Sequence, residues 1–349
     1  MRQMMDFDVQ ALDAWLRRDQ PALRGAMRLE RIGGGQSNPT YFVDFDNRQM
    51  VLRKQPGGAG LLPSAHAIDR EYRVMQALAD SDLPVPKMLL YHEDRELIGT
   101  PFYLMERLHG RVFPSCALPG MEPAERRAIY LEMAETMARL HKIDWAVIGL
   151  TDYGRQGGYF TRQIARWSKQ WEMSKTQGNA DIERLIPWLR ANLPDESETT
   201  ISHGDFRLGN LMFHPVEPRV IAVLDWELST LGHPLADVAF NCMAFHTLPS
   251  EYGGIRGLDL RALGIPQQDE YLRHYYRASG RSDGVTVFHF AFALFRMAVI
   301  FQGIAARAAG GNAVGDNAAE VGTLAQAFAH RAVAFIDGRG TDFVKESEA

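Results

Sequence analysis

Apolar positions recur along this chain in two rhythms. Leu12, Trp15 and Leu16 share one face of a short helix that Asp6 or Asp8 can cap, inside a polar lead-in. The rhythm then shortens. Leu29-Glu30-Arg31-Ile32 runs into Gly33-Gly34-Gly35-Gln36-Ser37-Asn38, and Thr40 to Phe45, rich in aromatic and β-branched residues, reads as a strand. Asp46-Asn47 makes a turn, Gln49 to Arg53 reads as the next strand, and Pro56-Gly57-Gly58 ends it. Ile68, Tyr72, Met75 and Leu78 then mark one face of a helix over residues 66–80, which Pro84-Val85-Pro86 breaks. Lys87 to Tyr91 and Phe102 to Met105 are two further strand-like runs. Residues 1–107 are expected to form a small sheet with one helix packed on it.

From Glu122 onward the period is helical. Ile129, Met133, Met137 and Leu140 mark one helix, and Ile164, Trp167 and Trp171 another. Residues 270–309 and 316–337 continue the helical texture, with an interhelical loop expected at Ala309-Gly310-Gly311-Asn312. Val285 to Phe301 is the most apolar stretch. It contains His289 and Arg296 and is short for a bilayer, so it predicts a buried helix. One segment, Thr200 to Asp225, interrupts the helices with brief strand-like runs around polar clusters. The expected architecture is α+β, with residues 108–349 as a larger, mostly helical domain.

Composition narrows the function classes. Of 349 residues, 46% are hydrophobic and 23% charged, as in an ordinary globular protein, so global disorder is excluded. The 38 basic and 43 acidic residues leave a net charge of −5, which argues against a broad nucleic-acid footprint. Cys116 and Cys242 make neither a disulfide framework nor a CxxC pair, which suggests a reducing cytoplasm and no structural zinc. Met1 to Ala14 carries acids and lacks a continuous apolar core, so no signal peptide and no membrane partner are expected.

The chemistry concentrates at Ile201-Ser202-His203-Gly204-Asp205-Phe206-Arg207-Leu208-Gly209-Asn210, followed by the apolar run Val220 to Leu224 and Asp225-Trp226-Glu227. Phosphoryl transfer needs an acceptor for the nucleophile's proton and magnesium on the phosphates. Asp205 suits the base, and Asn210 and Asp225 supply the oxygen ligands that hard Mg²⁺ prefers. Arg207, two residues past Asp205 in an extended loop, lies on the same side and can hold the transferred phosphoryl.

These residues resemble the aminoglycoside phosphotransferase family of kinase-like enzymes. The likeness extends through Gly232-His233-Pro234-Leu235-Ala236-Asp237. It is closest to the subgroup related to phosphotransferase domains fused to some acyl-CoA dehydrogenases, which Gly34 to Asn38, Val51 to Lys54 and Arg70 to Val74 also fit. The resemblance implies a bilobal protein-kinase-like fold, with an N-terminal antiparallel-sheet lobe and a helical C-terminal lobe. It implies an ATP- or GTP-dependent, Mg²⁺-requiring transfer to a small-molecule hydroxyl. Asp205 resembles the catalytic Asp, Asn210 and Asp225 the metal ligands, His203 the catalytic-loop buttress, and Asp237 a buried Asp bonding the loop backbone.

The amino-terminal half is then expected to clamp the nucleotide. Gly34 and Gly35 let backbone amides approach phosphates, and Ser37 and Asn38 add side-chain donors. A kinase-like site also needs a cation on the third strand paired with an acid on the next helix. Glu71 is the acid. Strand alternation and the resemblance favour Arg53 as the cation, with Lys54 as competitor. Met105 and Glu106 stand where the hinge would meet the base, with Met105 or Tyr103 lining its pocket. For the acceptor, Arg162, Arg166 and Lys169 form a basic helix stripe, read either as a solvated face or as a landing place for a CoA thioester's phosphates. A polycationic aminoglycoside is disfavoured by the lack of an acid cluster at 150–180. Trp226 and Glu227 are placed near the site. The alternative outside enzymes is a nucleotide-binding pseudokinase.

Overall fold

Asp8 accepts hydrogen bonds from the amides of Gln10 and Ala11, at 2.8 and 3.0 Å, and so starts α1 (Val9–Asp19). The computed structural model describes residues 6–33, 38–57, 67–309 and 318–339. After α1 come β1 (Arg28–Arg31), β2 (Thr40–Phe45), β3 (Arg48–Lys54), α2 (Ile68–Leu78), β4 (Met88–His92) and β5 (Phe102–Glu106). The strands form one antiparallel sheet in the order β1-β2-β3-β5-β4.

Alternation decides what each sheet face does. Tyr41, Val43 and Phe45 of β2, Met50 and Leu52 of β3, and Phe102 and Leu104 of β5 share a buried core with Leu12 and Leu16 of α1. The intervening residues Arg53 and Tyr103 meet Glu71 of α2. The sheet therefore carries two helices, one for each face. The segment expected to be a polar lead-in is part of the core, because Leu12 and Leu16 are both fully buried.

The chain divides into two compact units, 1–110 with 222–227, and 111–221 with 228–349. The first division falls three residues beyond the expected boundary at 107, and the short insert 222–227 carries Asp225.

The second unit runs through β6 (Arg111–Val112), α3 (Pro123–Lys142), α4 (Tyr159–Ser174), α5 (Ala180–Ala191), β7 (Thr200–Ser202), β8 (Leu211–Phe213) and β9 (Val220–Val223), whose last two residues fall in the insert. It continues with β10 (Thr230–Gly232), α6 (Pro234–Cys242), α7 (Leu260–Leu263), α8 (Gln268–Ser279), α9 (Val287–Ala309) and α10 (Ala318–Ile336). β7 pairs with β10, and β8 lies between β6 and β9. The helical texture over 270–309 is two helices, because α8 ends at Gly280 in the left-handed conformation, φ +75°.

α9 is long and apolar enough to cross a membrane by length and composition, yet 78% of its apolar window is buried within the structure. Phe288 and Phe292 meet Phe160 of α4 edge-on, and Phe290 stacks on Phe335 of α10 at 5.2 Å. The expected loop at 310–312 lies outside the described residues.

Candidate active site

The loop after β7 is built on an unusual backbone. Gly204 has φ +79°, and a Cβ there would stand 2.6 Å from the carbonyl oxygen of Leu228, so only glycine fits. Asp237, in the first turn of α6, holds this bend. Its carboxylate accepts from the amides of His203 (2.6 Å) and Gly204 (2.9 Å) and from the Ser202 hydroxyl (2.9 Å). Burial raises its pKa, but hydrogen bonding from His141, the His141 and His203 imidazoles and the Gly204 amide outweigh that, so it lies below the ordinary carboxylate value. His203 is fully buried, and its Nδ1 accepts the Asp205 amide at 3.2 Å.

Those contacts set the Asp205 carboxylate. Asn210 donates through Nδ2 to Asp205 Oδ2 (2.8 Å) and to the Asp205 carbonyl (2.9 Å). Arg207, extended at φ −148° and ψ 162°, brings Nε to 3.3 Å from Asp205 Oδ2. Asp205, Arg207 and Asn210 are thus one hydrogen-bonded group. With its nitrogen turned to Asp205, Asn210 keeps Oδ1 as an acceptor with no hydrogen bond among the described residues.

In the first unit, alternation sends the two adjacent cations of β3 to opposite faces of the sheet. Arg53 Nε lies 2.8 Å from Glu71 Oε2, and its Nη2 lies 2.9 Å from Asp225 and 3.8 Å from Glu227. Lys54 points to the other face, where its ammonium meets Asp6 at 2.5 Å beside the Phe7 ring. Glu71 is almost wholly buried and also accepts from Tyr103 Oη (3.0 Å) and Asn38 Nδ2 (2.6 Å). Burial lowers the Arg53 pKa, but Glu71, Tyr103, Asp225 and Glu227 more than offset it and keep the guanidinium charged. For Glu71, burial is the larger influence and pushes it up to about 7, against the pull of Arg53. Asp225 itself sits at φ +65°, a conformation a side chain seldom adopts, with its carboxylate 41% exposed.

A family model described as the phosphotransferase enzyme family, APH, matches residues 28–281. The chain belongs to that family. It is 46% identical over 330 residues to acyl-CoA dehydrogenase family member 10 of Mus musculus, covering 93% of this chain and 31% of that protein. With family member 11 of Homo sapiens the identity is 41% over 314 residues, 88% of this chain and 40% of the relative. The chain thus spans about a third to two fifths of these relatives. Among solved structures, a candidate aminoglycoside phosphotransferase from Ralstonia eutropha JMP134 superposes with a TM-score of 0.84 at 44% identity, covering 97% of this chain and 99% of that one. A thermostable variant of aminoglycoside phosphotransferase APH(4)-Ia, in ternary complex with AMP-PNP and hygromycin B, gives a TM-score of 0.62 at 17% identity, covering 94% and 99%. The fold is the α+β, kinase-like fold of APH phosphotransferases.

Within this APH chain several residues stand differently from the sequence reading. Gly34, Gly35 and Ser37 lie outside the described residues. Asn38, expected as a phosphate donor, is buried and gives its amide to Glu71. Tyr103 is buried in the same network rather than lining a pocket for a base. Met105 is half-buried on β5, and Glu106 exchanges bonds with Lys87, its amide donating to that carbonyl and its carboxylate accepting that amide. Trp226 is fully buried with its indole N–H on the Val223 carbonyl, so it packs as core. Arg162 spends its guanidinium on the carbonyls of Gly157 and Arg155, which leaves only Arg166 and Lys169 of the basic stripe exposed.

Two contributors were missed. Asn241 donates to the Phe206 carbonyl (3.1 Å) and accepts from Tyr271 Oη (2.6 Å). Its signal was available, since it lies one helical turn after Asp237. Arg296 donates to the Gly204 carbonyl at 2.7 Å. A lone cation inside an apolar helix was the clue, because a buried charge needs a partner.

Proposed function

We propose that this chain is an ATP- or GTP-dependent phosphotransferase acting on a small-molecule hydroxyl. The observation that carries the reading is the Asp205 carboxylate held by Asn210 and Arg207 on a backbone clamped by Asp237. A carboxylate so fixed is pre-organised to take a proton at one place, which is what an in-line displacement asks of a base. Asp205 accepts the hydroxyl proton as the oxygen attacks the γ-phosphorus, the bond from that phosphorus to the β-phosphate oxygen breaks, and the nucleoside diphosphate leaves. Arg207 supplies positive charge to the transferred group. Arg53, oriented by Glu71, binds the nucleotide phosphates, with Gly34, Gly35 and Ser37 as the backbone and side-chain donors of the preceding loop.

Magnesium fits the donors present. Among the described residues no three His, Cys, Asp or Glu side chains cluster as a ready-made metal site. Mg²⁺ takes few protein ligands and completes its shell with phosphates and water. Asn210 Oδ1, without a hydrogen bond among the described residues, and the half-exposed Asp225 carboxylate are the oxygens it would take. When bound, magnesium neutralises charge on the phosphates.

The acceptor we favour is a hydroxyacyl-CoA type of alcohol. A pocket in the second unit, beside the loop, is lined by Tyr130, Met133, Phe240, Phe245 and Phe328, with Arg207 as its one charged residue. Among the described residues no carboxylate lines it, so it suits a hydrocarbon chain carrying an anion better than a polycation. The names of the longer relatives support an acyl-CoA context, and the AMP-PNP held by the APH(4)-Ia neighbour supports a nucleotide. The test is nucleotide consumption, with ATP and GTP in separate arms, over hydroxyacyl-CoAs, aminoglycosides, choline-like alcohols and sugars. Acceptor-dependent consumption with a hydroxyacyl-CoA is expected. Consumption only with an aminoglycoside would reverse the acceptor assignment, and nucleotide binding without transfer to any acceptor would make the chain a binding module.

A further inference from the structure

Arg296 raises a question of charge. It lies midway along α9, 8% exposed, in a run whose neighbours Phe292, Ala293, Phe295, Met297, Ala298 and Val299 are all buried and apolar. Among the described residues it forms no ion pair, and its Nε has no hydrogen-bond partner. Its guanidinium sits over the rings of Phe240 (5.5 Å) and Trp167 (5.7 Å). Cation–π contacts offset part of the burial cost. Burying a guanidinium carries a desolvation penalty that persists even after the structure relaxes. For packing alone, methionine or leucine would serve this position better. The single directed bond Arg296 makes is therefore the informative one: Nη2 to the Gly204 carbonyl, at 2.7 Å.

That carbonyl belongs to the peptide joining Gly204 to Asp205. Asp237 takes the N–H of the same glycine at 2.9 Å. One left-handed residue is thus held by an anion at its amide and by a cation at its carbonyl, and the following amide, that of Asp205, is held by His203 Nδ1. Fixing both sides of the Gly204–Asp205 peptide plane leaves the Asp205 Cα little freedom to rotate. The two buried charges complement each other through a single residue, which explains how α9 tolerates a guanidinium without a carboxylate beside it.

We infer that Arg296 is a positioning residue for Asp205: paired with Asp237 across Gly204, it sets the peptide plane that aims the carboxylate. The inference rests on the phosphotransferase reading for its kinetic arm only.

The experiment compares Arg296→Met with Arg296→Lys, which keeps a cationic donor. Phosphate transfer is measured with the acceptor found in the panel, or with water where none is found. Arg296→Met is expected to lower kcat about a hundredfold, the usual consequence of misplacing a catalytic group by about an ångström. The nucleotide KM stays within about twofold, and Arg296→Lys recovers most of the loss. In parallel, hydrogen exchange of peptides covering residues 200–212 is expected to accelerate about tenfold in Arg296→Met, with α3 and α6 unchanged. Equal losses in both variants, or a KM that rises with the fall in kcat, would overturn the positioning role. Unchanged exchange over 200–212 would overturn the clamp itself. A wild-type protein that transfers no phosphate would refute the kinase reading, and the exchange result would still decide the clamp.

Discussion

Arg53 and Lys54 are adjacent cations on one strand, and the pleat gives them different work. Arg53 faces Glu71 and Asp225, whereas Lys54 faces Asp6 across the α1 side of the sheet. Arg53→Met should therefore weaken ATP or GTP binding about tenfold or more in titration calorimetry, by loss of a charge-assisted phosphate contact. Lys54→Met should leave that affinity unchanged. Its effect on stability should be within about 1 kcal/mol by urea unfolding, because Asp6 is half-exposed and the long apolar side chain fills the same space. A nucleotide-affinity loss in Lys54→Met alone would reverse the assignment. Asp237→Ala should be far more costly. It strands the buried amides of His203 and Gly204 and the Ser202 hydroxyl, at about 1–3 kcal/mol each, so a loss of at least about 3 kcal/mol is expected in urea unfolding.

At the scale of elements, the strands were legible where one face is apolar. β2 spans the residues its alternation predicts, and β3 and α2 differ by a residue or two at their ends. What pattern alone missed has physical causes. β6 is too short at two residues to show a period. α5 carries Pro187 inside it, which masks its helical character. α1 looked peripheral because Leu12 and Leu16 are its only fully buried residues. The turn at His203 to Asp205 was legible as a motif, and the family resemblance also put Asp237 on its backbone, where the His203 and Gly204 amides meet it. Asn241 and Arg296 were not expected there: they come from helices that follow the turn by about 35 and 90 residues, and the motif itself does not report such a meeting. Gly204→Ala tests the turn directly. It combines a left-handed φ with a Cβ at 2.6 Å from the Leu228 carbonyl, so a loss of about 2 kcal/mol or more is expected in urea unfolding. A neutral substitution would mean that the bend is free to relax.

For the whole molecule, acid sensitivity should come from buried imidazoles. Burial is the main cause that lowers His246 to about 4 and His289 to about 3, so each stays neutral in the folded state while the unfolded chain protonates near pH 6.5. Folded pKa values below the unfolded value mean stability present above pH 6.5 and lost as pH falls toward 4 and then 3. Each should contribute about 1.4 kcal/mol per pH unit over that window. The urea midpoint should drop between pH 7 and 5, and His246→Phe, set between Phe290 and Phe335, should flatten that slope by about one proton's worth. A flat profile in the wild type would contradict the burial argument. The central claim is that Asp205 is the proton acceptor of an APH phosphotransferase, and Asp205→Asn tests it most directly, since the amide keeps the size of the carboxylate and loses its basicity. Acceptor-dependent phosphate transfer should fall at least about a hundredfold while the affinity for ATP or GTP stays within about threefold. Transfer at the wild-type rate in Asp205→Asn would contradict the account.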